Sequence, residues 1–163
     1  MNLTTHAAAT ADMVPHIATL YRLAAGADNI IEFGVRSAVS TWALLDGLSP
    51  DGHLHSYDID ERTRENVPER VYLDPRWHLH LCDSLDAERP PVPPDLVFID
   101  TSHEYHQTLA ELQLAGSWGT PLIVLHDWAL PDVQDAVRGF CDRSGYRIAG
   151  IEESQWGLAW LRK

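Results

Sequence analysis

Apolar positions along this chain switch repeatedly between a helical and a strand period. Ile17, Leu20, Tyr21 and Leu23 recur at helical spacing in an Ala-rich stretch that runs to about Ala25, where Gly26 stops it. Asn29 to Val35 (NIIEFGV) then predicts a short buried strand running into a Gly turn. Ser37 to Leu48 predicts a helix with Trp42, Leu44, Leu45 and Leu48 on its apolar side. His53 to Ile59 predicts a second strand, with His53, His55 and Tyr57 alternating against Leu54, Ser56 and Asp58. Residues 61–75 are charged, hold Pro68 and Pro75, and predict a broken helix. Trp77 to Cys82 is a third, alternating strand, and Asp95 to Asp100 (DLVFID) a fourth, apolar enough to be buried on both faces. The Pro-rich run 90–94 reads as the loop that leads into it. Glu104 to Ala115 is an amphipathic helix, Thr120 to His126 a fifth strand, and Pro131 to Asp142 a helix with Pro near its first position. Tyr146 to Ile151 and Trp156 to Leu161 read as two strands joined by residues 152–155.

Helices and strands that alternate in this way predict an α/β fold with a mainly parallel sheet and helices on both faces, closed by a hairpin. The length of 163 residues predicts a single domain, 1–163, with residues 1–26 as an N-terminal helical segment. Ligands of such sheets bind beyond the C-terminal ends of the strands.

Composition narrows the partners. The net charge is −12, from 24 acidic and 12 basic residues, and such a field repels a phosphate backbone. A nucleic-acid partner is therefore not expected. No apolar run approaches the roughly 18 residues of a membrane span, so no membrane partner is expected either. The N-terminus has no basic start and no apolar core of a secretory signal, which makes the cytoplasm the expected location. Cys82 and Cys141 are far apart and form no CxxC, so neither a disulfide framework nor a cysteine zinc site is indicated.

The strand ends carry the candidate chemistry. After the first strand, Gly34 lets backbone come close to a ligand, while Ser37, Ser40 and Thr41 offer hydroxyls and amides at a helix N-terminus. A plain strand-to-helix turn accounts for this loop equally well, and GxGxxG is not satisfied, because Ala38 follows the single Gly. Asp58, 24 residues after Gly34, is placed to accept from both hydroxyls of a ribose, or to cap a helix. Asp83 can accept from an exocyclic amine of adenine, and Ser84 can bind beside it or cap. The fourth and fifth strands deliver Asp100-Thr101-Ser102-His103 and His126-Asp127. Buried carboxylates need a partner or a cation. Asp100 and Asp127 on neighbouring strands, with an imidazole, form a candidate divalent-metal site, and His103 is a candidate general base. His53, His55, His78 and His80 read as half-exposed strand residues, and His6 and His16 as first-helix residues without partners.

Glu32-Phe33-Gly34 with Arg36 to Thr41, then Tyr57-Asp58-Ile59-Asp60, Phe98 to Tyr105 and Ile123 to Asp127, resembles the class I S-adenosylmethionine-dependent methyltransferases. Within them the chain is most similar to the small macrocin-type O-methyltransferases and the proteins named cephalosporin hydroxylases. The resemblance spans roughly residues 28–161. It implies a Rossmann-like, mostly parallel seven-stranded sheet with an antiparallel C-terminal strand. It also implies S-adenosylmethionine as cofactor. Glu32 and Gly34 would line its methionine part, Ser37 and Thr41 would lie near its carboxylate, Asp58 would hold the ribose, Asp83 and Ser84 would flank the adenine, and Asp100 would sit beside the reacting centre. Mg²⁺ or another divalent metal would be held by Asp100, His126 and Asp127, with a small hydroxylated molecule as acceptor. Ala38 replaces a Gly common in relatives, which is tolerable if its φ is negative, and His126 shifts the metal preference away from pure oxygen sites. Relatives often self-associate, and six Trp leave room for a homo-oligomer interface without locating one. Competing readings are a nicotinamide-dependent oxidoreductase, a non-catalytic methyltransferase-like binding domain, and a non-haem metal oxygenase built on His103, His126 and Asp127.

Overall fold

A computed structural model describes residues 12–163. The first eleven residues of the expected N-terminal segment, His6 among them, lie outside the described residues. A 3₁₀ turn at Val14–His16 leads into α1 (Ile17–Ala24), followed by β1 (Asn29–Phe33), α2 (Val39–Gly47) and β2 (His53–Asp58). Two single helical turns, α3 (Thr63–Asn66) and α4 (Glu69–Tyr72), sit on either side of Pro68 and form the expected broken helix. Next come β3 (Trp77–Leu81), a 3₁₀ turn at Ser84–Asp86, β4 (Leu96–Ile99) and α5 (Tyr105–Ser117). The chain ends with β5 (Leu122–His126), α6 (Pro131–Ser144), β6 (Arg147–Glu152) and β7 (Leu158–Arg162).

The seven strands form one sheet in the order β3-β2-β1-β4-β5-β7-β6. Every pairing is parallel except those of β7, which runs antiparallel to both β5 and β6. This is the Rossmann-like sheet with an antiparallel C-terminal strand that the sequence predicts. The order reverses between β1 and β4, and there the crevice of an open α/β sheet is expected.

Period-two alternation divides the core into two layers. Ile30, Leu54, Leu96, Phe98 and Val124 face one side, where Leu20 and Ala24 of α1 and Leu44 of α2 cover them. Ile31, Phe33, Val97, Ile99 and Ile123 face the other, against Leu112 of α5 and Val137 and Phe140 of α6. Phe33 and Phe98 are fully buried, and each such side chain contributes about 1.5–3 kcal/mol relative to exposure. At the opposite end from the crevice, Asp95 accepts from the backbone amides of Asp28 and Asn29 at 2.8 and 2.9 Å and fixes the start of β1. Among the described residues no helix is long and apolar enough to cross a membrane.

Candidate functional site

The turn from β1 into α2 is built from beneath. Glu32 is fully buried, and its carboxyl accepts from Ser40 Oγ at 2.7 Å, Thr41 Oγ1 at 2.8 Å and Ser56 Oγ at 2.6 Å. Ser56 Oγ in turn accepts from Trp77 Nε1 at 2.9 Å. One carboxyl therefore ties β1 to the first turn of α2, to β2 and, through Ser56, to β3. Burial pushes its pKa up to about 7, against the pull of the three hydroxyls. The sequence places Glu32 and Thr41 along the cofactor. The structure seals both from solvent beneath the turn, where they hold it in shape.

Gly34 has φ +88, and a Cβ there would lie 1.9 Å from the backbone oxygen of Asp100. The residue must be Gly because the end of β4 crosses it. Above the turn, Asp58 Oδ2 accepts from the amides of Val35 and Arg36, both at 2.9 Å, and Oδ1 accepts from Asp60 N at 2.9 Å. Asp58 is half-buried, and a carboxylate has roughly four acceptor positions, so capacity for a ligand remains. Ala38, at the start of α2, has φ +60 rather than the negative φ that would make a methyl group harmless. The αL conformation costs a non-glycine residue about 1–2 kcal/mol. Arg36, His103 and Asp127 share it, with φ of 53, 59 and 57. Backbone strain is thus gathered at this end of the sheet, as it commonly is around functional sites.

Beyond β4 and β5, two carboxylates and two imidazoles meet. His103 Nε2 lies 3.0 Å from Asp100 Oδ1 and 2.7 Å from Asp127 Oδ2. His126 Nδ1 lies 2.8 Å from Asp127 Oδ2 and 3.4 Å from Asp100 Oδ1. The group whose donor atoms all fall within 4.8 Å of one another is Asp100, His103 and Asp127. His126, the imidazole that the sequence assigns to the metal, has Nδ1 within 3.4 Å of the same two carboxylates. The His126 side chain is 1% exposed and reaches the carboxylates from the closed side, whereas that of His103 is 32% exposed. Burial works against the charged imidazoles, but the facing carboxylates outweigh it and hold His103 at about 9 and His126 at about 10. The imidazoles in turn hold Asp100 and Asp127 below the ordinary carboxylate range, although burial opposes this. At neutral pH His103 is accordingly an imidazolium that donates to both carboxylates, and it becomes a base only after losing that proton.

Asp83 and Ser84 stand at the end of β3. Asp83 Oδ1 accepts from Leu85 N at 2.9 Å and caps the 3₁₀ turn. Ser84 Oγ is buried and donates to Glu111 Oε1 at 2.5 Å. Glu111 also accepts from Thr101 Oγ1 at 2.8 Å and Gln107 Nε2 at 3.1 Å, which braces the ends of β3 and β4 against α5. Sequence reasoning missed Glu111. Its signal was a carboxylate next to Leu112 on the apolar face of a helix, where a charge needs partners. His16 is likewise not partnerless. It is fully buried, with Nδ1 2.9 Å from Glu152 Oε1, and its ring meets that of His126 edge-on at 5.2 Å. Ser37 is half-buried at the turn, beside a cavity of about 10 Å³ that Asp12, Met13 and Asp100 also line. A larger cavity of about 290 Å³ lies between the C-terminal halves of α5 and α6, away from the strand ends that carry the chemistry.

Comparison with known proteins agrees with this fold. A family described as "Methyltransferase domain" matches residues 31–128, from β1 through the end of β5. A protein from Corynebacterium glutamicum superimposes with a TM-score of 0.74 at 18% identity, covering 99% of this chain and 90% of that one. An O-methyltransferase from Bacillus cereus, solved with SAH, gives 0.72 at 18% identity, covering 99% and 88%. The O-methyltransferase TomG from Streptomyces achromogenes, involved in tomaymycin synthesis and solved with SAM, gives 0.69 at 22% identity, covering 91% and 79%. No curated protein matches the chain.

Proposed function

The chain belongs to the methyltransferase-domain family, and from that premise we propose that it moves the methyl group of S-adenosylmethionine to a hydroxyl oxygen of a small molecule. The observation that carries the oxygen acceptor is the Asp100–His103–Asp127 group, which stands at the strand ends directly beside the Gly34 turn.

The residues present fit the cofactor. Asp58 is a half-exposed carboxylate with about one of its roughly four acceptor positions left, at the position that suits a ribose hydroxyl. Ile59 and Leu85, both exposed at the ends of β2 and β3, offer apolar surface to a flat base, and Asp83 lies between those strand ends and can accept from an amine. Ser37 and the amides of the turn face the methionine end, with Glu32 and Thr41 supporting them from below. Asp12 and Met13 lie over this turn, joined to it by an Arg36–Asp12 ion pair at 2.9 Å.

The donor set also fits a divalent cation, because two carboxylate oxygens and one imidazole suit Mg²⁺, Mn²⁺ or Fe²⁺. Such an ion, when bound, would lower the pKa of an acceptor hydroxyl. The protein's own work is positioning and proton handling. Asp100 and Asp127 accept from His103 Nε2–H and so orient the ring, and neutral His103 takes the acceptor's proton at its other ring nitrogen, Nδ1. His126 holds the two carboxylates from behind. Alignment of the acceptor oxygen with the methyl carbon supplies the rest, since the sulfonium is already electrophilic.

The family match sets aside the nicotinamide oxidoreductase reading. The test is transfer of labelled methyl from S-adenosylmethionine to simple acceptors with vicinal hydroxyls, with Mg²⁺, with Mn²⁺ and after chelation. Label in an ether product is the expected outcome, with a higher rate in the presence of the ion. Label found only on nitrogen or sulfur acceptors would overturn the oxygen assignment.

A further inference from the structure

Four histidines on one edge of the sheet take no part in the site above. β2 carries His53-Leu54-His55 and β3 carries His78-Leu79-His80, two His-x-His segments side by side. Residues two apart on a strand share a face. Leu54 and Leu79 turn the opposite way, into the core layer under α1 and α2. The histidine face lies next to the β3–β4 connection, residues 82–95, which contains one 3₁₀ turn and no α-helix. His53 is exposed and the other three are half-buried.

The imidazoles are interleaved. His53 Nδ1 stands 3.0 Å from His78 Nε2, and His55 Nδ1 stands 3.0 Å from His80 Nε2. The rings stack, with centroids 4.7 Å apart for His55 and His78 and 5.3 Å for His55 and His80. Tyr57 closes the stack 4.5 Å from His80.

We propose that this ladder is a second metal site, in which His55 Nδ1 and His80 Nε2 clamp a late first-row divalent cation such as Zn²⁺, Cu²⁺ or Ni²⁺ and His53 Nδ1 and His78 Nε2 form an outer clamp of the same kind. Two imidazole nitrogens on one tetrahedral Zn²⁺, each at about 2.0–2.1 Å, lie roughly 3.3 Å apart. Each facing pair now shares one ring N–H in a 3.0 Å hydrogen bond, within a few tenths of an ångström of that spacing, and moving that proton to the donor ring's other nitrogen frees both lone pairs for the ion. An all-imidazole donor set selects Zn²⁺, Cu²⁺ or Ni²⁺ and not Mg²⁺ or Ca²⁺. The net charge of −12 draws cations to the surface. The bound ion would join the edge strand β3 to β2 where no helix braces them.

Zn²⁺ titrated into the wild type, into Asp100→Asn and into a His55→Asn/His80→Asn double variant separates this site from the carboxylate site. Micromolar Zn²⁺ binding is expected to persist in Asp100→Asn and to weaken about tenfold or more in the double variant. Zn²⁺ is also expected to raise the unfolding midpoint of the wild type and of Asp100→Asn, and to raise that of the double variant less. In case the double variant folds poorly, Ni²⁺ added to wild-type protein is read by NMR, where selective broadening of the His55 and His80 ring signals supports the site. Zn²⁺ binding that is unchanged in a folded double variant, or Ni²⁺ broadening confined to His103 and His126, would overturn it.

Discussion

At pH 5, Glu32→Ala is expected to cost the protein about 3–5 kcal/mol of stability, because three buried hydroxyls lose their common acceptor at once. Glu32 is fully buried, so water does not replace the lost carboxyl. The sign of the effect depends on pH in a way that identifies the residue. The folded pKa, about 7, lies above the ordinary carboxyl value of 4.5, so the folded state holds the proton more tightly than the unfolded state. Wild-type stability attributable to Glu32 is therefore full below about pH 4.5 and is lost as pH rises to about 7. Glu32→Gln keeps the shape and cannot ionise. It is expected to match the wild type near pH 5 and to exceed it by about 2–3 kcal/mol at pH 8. Denaturant unfolding of the three proteins at both pH values checks this. A wild-type-minus-Gln difference that is flat between pH 4.5 and 7 would remove the buried acid from the account.

His103→Ala is expected to lower methyl transfer by about 10²–10⁴-fold while leaving S-adenosylhomocysteine affinity within about twofold. The reason is positional. His103 is the more exposed imidazole of the cluster, with Nε2 on both Asp100 and Asp127, whereas the proposed ribose contact, Asp58, belongs to the neighbouring β2 end. Single-turnover rates and calorimetric affinities, measured on the same preparations, separate the two effects. An unchanged rate would show that His103 serves only to neutralise the carboxylates.

The sheet was legible because its signals are local. Two-residue alternation in strands such as Trp77–Leu81, the buried run Leu96–Ile99, and Pro68 breaking a charged helix each fix an element from adjacent residues. The acidic strand ends were legible for the same reason, since an apolar strand that delivers Asp100 or Asp127 demands a partner. What was hidden depends on contacts across the fold. Ser56 reaches Glu32 from 24 positions away, and His16 reaches Glu152 from 136 away. Which imidazole of the cluster stands open, His103, and which is closed off, His126, depends on how the β4 and β5 ends meet, and spacing in the sequence does not specify that. The positive φ of Ala38 was hidden too, because an Ala at that position gives no sign of the left-handed turn that a Gly would have announced.

Calorimetric titration of S-adenosylhomocysteine into the wild type and Asp58→Ala, with Mg²⁺ and after chelation, tests the central claim most directly. Micromolar binding to the wild type is expected in both conditions, weakened about tenfold or more in Asp58→Ala as a ribose hydroxyl loses its charged acceptor. Folded wild-type protein that binds no S-adenosylhomocysteine in either condition would contradict it.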